Sequence, residues 1–98
     1  MAGREDTMRI DVLCKPEGGK KCERALAVVR EALDNLGMEA EVHLFRDRRK
    51  MIDNRVYVSP ALLVDDVLRV AGRVPSVDEV ERILRERPRY LKRMQNVA

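Results

Sequence analysis

The period of the hydrophobic pattern changes twice in the first half of the chain, and nothing else in the sequence constrains the fold as strongly. Met8-Arg-Ile-Asp-Val-Leu13 alternates apolar and polar side chains and then turns continuously apolar, the pattern of a strand entering a buried sheet. From Cys22 onward, Leu26, Val29, Leu33 and Leu36 recur at steps of three and four, a helical stripe that ends at Gly37, where a left-handed residue is expected just past the helix. Met38 to Phe45 returns to alternation, with Met38, Ala40, Val42 and Leu44 on one face and Glu39, Glu41 and His43 on the other. Two strands joined by a helix are expected to lie parallel in one sheet, with a right-handed crossover.

The second half adds smaller units. Asp47 is placed to cap a short helix running to about Asn54, with Met51 and Ile52 as its apolar contacts. Ser59-Pro60 introduces Ala61-Leu-Leu-Val64, and after Asp65-Asp66 comes Val67-Leu-Arg-Val-Ala71. Two short β-type runs around an acidic pair read as an antiparallel hairpin, although Asp-Asp is a weaker turn signal than Asp-Gly. Ser76-Val-Asp-Glu79 is a capping box that opens a last helix, with Val77, Val80, Ile83 and Leu84 as its buried face and Pro88 as its stop. The expected order is strand, helix, strand, helix, strand, strand, helix.

Ninety-eight residues, 45% hydrophobic and 38% charged, fit one domain. Residues 1–7 read as a flexible N-terminus, 8–87 as the folded unit and 88–98 as a basic tail. The longest apolar run is Ala61 to Val64 and the N-terminus carries acid where an export signal is apolar, so a cytoplasmic protein with no membrane contact is expected. A net charge of only +3 and three aromatic residues argue against nucleic-acid binding, which uses one-sided charge and stacking platforms. Dense mixed charge is compatible with a thermophilic source.

Two stretches make the layout more specific. Ser59-Pro60-Ala61-Leu62-Leu63-Val64-Asp65-Asp66-Val67-Leu68-Arg69-Val70-Ala71-Gly72-Arg73-Val74-Pro75-Ser76 closely resembles the second half of the small redox-active disulfide proteins of the thioredoxin and glutaredoxin superfamily, and Cys22 to Gly37 resembles their first helix. The resemblance covers roughly residues 8 to 86. It implies an α/β, thioredoxin-like fold of βαβαββα order, with a central mixed four-stranded sheet and helices on both faces. It also implies a cis bond at Ser59-Pro60, with Pro60 facing Cys22 and Ser59 offering its backbone to a substrate peptide. The position of the family's attacking cysteine, three residues before Cys22, holds Gly19, so that role does not carry over.

The second cysteine, Cys14, stands at the carboxyl end of the first strand, across Lys-Pro-Glu-Gly-Gly-Lys-Lys from Cys22. Cys22 reads either as a small apolar residue packed in the first helical turn or as a redox thiol favoured by the helix N-terminus and by Lys20 and Lys21. A Cys14–Cys22 bridge is sterically allowed, and closing so short a loop contributes about 2.5 kcal/mol in the chain-entropy model. Such a bridge is structural, regulatory or catalytic. In the catalytic case Cys14 takes an exposed, attacking role on a lengthened loop, Cys22 resolves, and the partner is a protein or a low-molecular-weight thiol or disulfide. In the contrasting case the chain is a binding module that keeps only the groove around Pro60.

Gly18-Gly19-Lys20-Lys21 ahead of a helix also suits an anion such as a peptide or glutathione carboxylate, but it lacks the spacing of a nucleotide-binding loop. Two cysteines and one histidine, His43, are too few for a closed zinc site, and no metal or cofactor is expected. The basic clusters at Arg46, Arg48, Arg49 and Lys50 and at Arg85, Arg87, Arg89, Lys92 and Arg93 read as solvated faces.

Overall fold

The apolar end of the first strand is explained by its place in the sheet. The structure, a computed structural model, describes residues 8–86. Its elements are β1 (Met8–Cys14), α1 (Lys20–Leu36), β2 (Ala40–Arg46), α2 (Arg48–Asp53), β3 (Ala61–Val64), β4 (Val67–Ala71) and α3 (Val77–Arg85). The four strands form one sheet in the order β2-β1-β3-β4. β1 runs parallel to β2, from Met8 opposite Ala40 to Cys14 opposite Arg46, and antiparallel to β3, with Ile10 opposite Val64 and Leu13 opposite Ala61. A strand paired on both edges and covered on both faces has no polar side to keep, hence the unbroken Val12-Leu13-Cys14.

Successive β1 side chains go to opposite layers. Met8, Ile10, Val12 and Cys14 join α1 and α3 in the larger core, with Val29, Ala32, Val80 and Leu84 fully buried. Leu13 points the other way, into a smaller cluster with Met51, Val56, Ala61 and Leu63 under α2. Helices therefore cover both faces. Asp11 shares the second face and is 4% exposed. Its carboxylate accepts from Arg9 Nε through both oxygens at 3.2 Å, which compensates the buried charge.

Three local expectations change. α1 begins at Lys20 rather than Cys22, with Gly19 as N-cap at φ 66°, and its buried face is Cys22, Ala25, Val29, Ala32 and Leu33. Leu26 and Leu36 are only partly buried at its rim, because the two alanines bring the helix close to the sheet. α2 is capped by Asp47, which accepts from the Arg49 N–H at 2.8 Å. Its six residues bury Met51 but leave Ile52 59% exposed, since so short a helix turns one apolar position to the sheet and the next to water.

The acidic pair does make the hairpin turn. Asp65 and Asp66 have φ of 49° and 68°, the positive values of a type I′ turn. Asp65 Oδ1 accepts from the Arg9 N–H at 3.0 Å, and the Asp65 N–H donates to the Arg9 carbonyl at 2.8 Å, so the turn is fastened to the start of β1. α3 is capped by Ser76, whose hydroxyl accepts from the Glu79 N–H at 3.1 Å. Among the described residues no helix is long and apolar enough to cross a membrane. The proposed N-terminal segment and the basic tail from Arg87 lie outside the described residues.

Candidate redox site

The chain direction places the candidate residues at one end of the sheet. Because β1 and β2 are parallel, the loop after Cys14 and the turn after Arg46 leave at the same end of the sheet, and β3, antiparallel to them, begins there at Ala61. The segment ahead of β3 thus returns Ser59 and Pro60 to the loop that carries Cys14 into α1. This convergence follows from topology alone.

Cys14 and Cys22 form a disulfide with Cα atoms 6.2 Å apart, inside the range a bridge requires. Both residues are 0% exposed. The exposed loop position expected for Cys14 is not found: it is the last residue of β1, on the same face as Met8, Ile10 and Val12, and lies beneath the first turn of α1. Cys22 is the third residue of α1. Lys20 and Lys21 precede it on the exposed first turn, which Gly19 caps without any side-chain hydrogen bond.

Gly18, read in the sequence only as part of an anion-binding loop, packs against the disulfide. A Cβ built on Gly18 would stand 2.8 Å from Cys22 Sγ, 3.0 Å from the Lys15 carbonyl oxygen and 3.4 Å from Ser59 Oγ. The backbone of Gly18 therefore lies directly against the sulfur, and its lack of a side chain is what permits this. Its N–H donates to the Lys15 carbonyl at 2.9 Å, closing a tight turn. A glycine pair next to a cysteine is the available signal, but it does not tell which of the two is needed for space and which for backbone angle. The structure divides them: Gly18 gives the close approach and Gly19 the positive φ.

Ser59 joins the two halves of the site. Its hydroxyl accepts from the Lys15 N–H at 3.4 Å and lies 3.9 Å from Cys22 Sγ. The Ser59-Pro60 bond is cis, Pro60 is fully buried, and its carbonyl accepts from the Gly72 N–H at 2.8 Å. On the outer side Glu17 pairs with Arg48, and Glu23 approaches Arg46 at 3.9 Å, linking the loop and α1 to the start of α2. His43 is remote from the sulfurs, stacked on Phe45 with ring centroids 5.8 Å apart.

A family model described as a thioredoxin domain matches residues 8–85. The chain belongs to the thioredoxin family. Among similar proteins, a thioredoxin of Methanocaldococcus jannaschii is 32% identical over 68 residues, 69% of this chain and 78% of that one. A thioredoxin of Methanothermobacter thermautotrophicus is 31% identical over 67 residues, 68% of this chain and 87% of that one. The βαβαββα order and the mixed sheet with helices on both faces are thus those of a thioredoxin-like fold, here carrying one internal disulfide.

Proposed function

We propose that this thioredoxin-like protein performs thiol–disulfide exchange with a polypeptide partner through Cys14 and Cys22. The observation that carries the reading is the bond between the end of β1 and the first turn of α1, beside Ser59 and Pro60. In the reduced protein the helix N-terminus and the lysines at 20 and 21 favour a Cys22 thiolate. The Cys22 thiolate, at the first turn of α1 and covered by the turn at Gly18, attacks a partner disulfide, and a mixed disulfide forms as one partner sulfur leaves. Cys14 then gives its proton to solvent, and its sulfur attacks Cys22 and displaces the second partner sulfur. The protein ends as the disulfide and the partner as the dithiol, two electrons having moved. Because both cysteines are buried, the turn at 15–19 has to lift from Cys22 before either step. Ser59 and Pro60 form the wall on which the partner's backbone rests.

The complete burial of the pair favours a second reading, in which the bond is a staple and the protein only binds. A redox titration separates the two, with free thiols counted by alkylation and mass across glutathione and dithiothreitol buffers. A potential of roughly −200 to −270 mV is expected for an exchanger. A value below about −300 mV assigns the bond to the scaffold and removes the exchange reading.

A further inference from the structure

The residues around the disulfide differ in charge from the rest of the molecule. Segments 15–24 and 46–55 carry nine lysines and arginines against four aspartates and glutamates, while the remainder of residues 8–86 carries six against eleven. The described domain is therefore electrically neutral as a whole but strongly divided. The parallel pairing of β1 with β2 brings the two basic segments together, because both follow strands that finish at the same end of the sheet. Glu17 and Glu23 are engaged with Arg48 and Arg46. Among the described residues Lys20, Lys21, Arg49 and Arg55 make no ion pair, and all four are exposed.

Apolar surface lies in the same region. Tyr57 is 69% and Val58 49% exposed, immediately before Ser59, and Val58 lies close to Gly72. An exposed aromatic and a valine at the same end of the sheet as unpaired cations supply the two components of a protein-docking surface, an apolar centre and a charged rim. Unpaired cations at a rim act by attracting an oppositely charged partner and orienting it before contact.

We infer that the disulfide end of this protein is a docking surface for an acidic polypeptide, which sets its apolar side chains on Tyr57 and Val58 and its carboxylates on Lys20, Lys21, Arg49 and Arg55. The inference names the partner of the site proposed above and takes its chemistry from that reading. A nucleic acid would use the same cations, but it needs aromatic platforms on which to stack bases, and Tyr57 is the one exposed aromatic ring among the described residues.

The test uses two labelled peptides with one apolar centre containing serine in place of cysteine, flanked by aspartate and glutamate in one and by lysine in the other. Fluorescence anisotropy with the full chain at low ionic strength is expected to show the acidic peptide bound at least about tenfold more tightly, with the difference shrinking as salt is added. The double variant Arg49→Glu with Arg55→Asn should lose most of that preference; asparagine is chosen because residue 55 has φ 58°. Arg30→Glu, on α1 outside the two basic segments, should keep it. Equal binding of the two peptides overturns the inference. So does tighter binding of an oligouridylate at the same salt, or salt-sensitive self-association of the protein, which would assign the divided charge to contact between copies. Versions of the two peptides carrying a cysteine in disulfide with a small blocking thiol, offered to protein first reduced with dithiothreitol, separate this inference from the exchange reading. Preference without any disulfide reduction leaves the docking surface standing and removes the chemistry, whereas equal reduction of both peptides does the reverse.

Discussion

Replacing Gly18 with alanine probes the closest contact at the disulfide. The added methyl would stand 2.8 Å from Cys22 Sγ, roughly 1 Å inside an ordinary van der Waals separation. The neighbour cannot swing aside, because the sulfur is held by its bond to Cys14. Nor is there room on the other side: the Lys15 carbonyl oxygen, 3.0 Å from the new carbon, is backbone and already accepts from the Gly18 N–H. The turn itself has to shift, at a cost of about 1–3 kcal/mol, the range for overpacked sites. Alanine restricts the unfolded chain and so recovers only about 0.4–1 kcal/mol. A net destabilisation centred on about 1 kcal/mol, and no larger than about 2.6, is therefore expected for the oxidised protein, read as a lower urea midpoint at unchanged slope by far-ultraviolet circular dichroism; the chain has no tryptophan to report by fluorescence. The same shift should open a path to the sulfur and speed reduction by dithiothreitol. Gly19→Ala is the control: no atom lies within 4 Å of its Cβ, but φ is 66°, so stability should fall with little change in the rate of reduction. A Gly18→Ala protein as stable as the parent, or one reduced no faster, would show that Gly18 does not cover Cys22.

Three further perturbations address the scaffold. Ser76→Ala removes the hydroxyl that accepts from the Glu79 N–H and should cost about 1 kcal/mol in a urea titration; no loss would mean that the cap is not formed in solution. Asp66→Gly relieves the positive φ of 68° at the second turn position and should stabilise the protein by about 1 kcal/mol at most, read as a higher urea midpoint, whereas a fall would show that the attraction of the Asp66 carboxylate for Arg9 and the entropy cost of glycine outweigh the relief. Arg73, hydrogen-bonded to both oxygens of Glu79 at 2.7 and 2.5 Å, holds that carboxyl below its usual range, helped by the Ser76 backbone. Since the folded value is depressed, the stabilisation is present above the unfolded pKa of about 4.3 and is lost as the pH falls through the folded value. Glu79→Gln should accordingly flatten the loss of stability on acidification below that point, and an unchanged acid limb would refute the pairing.

How much of this was legible in the sequence depends on whether the information was local. The β1-α1-β2 crossover and the hairpin follow from changes in hydrophobic period, and the structure has both. The centre of the α1 face was misread because Ala25 and Ala32 carry little hydrophobic signal, although their small size lets the helix approach the sheet. Ile52 was overcounted because two adjacent apolar residues in a helix of six cannot both face inward. The burial of Cys14 was readable and was missed: it shares the parity of Met8, Ile10 and Val12, and alternation already assigned it to the α1 face. The contact of Gly18 with Cys22 and Ser59 was beyond reach, since it depends on a segment some forty residues away being brought back by an antiparallel strand.

The position of β1 inside the sheet has a consequence for the order in which the molecule is assembled. Its sulfur bridge spans a separation of eight residues, but its second edge is completed only by β3, where Ile10 meets Val64. Closing the longer loop costs more chain entropy and dominates the time needed to reach the native topology. In a chain growing from its N-terminus, both cysteines and all of α1 are made before the strand that buries the open side of β1. The oxidation state thus belongs to a contact that forms early and locally, while the architecture depends on one that arrives late and from a distance. Making or breaking the bond acts on the first and leaves the second to hold the sheet together.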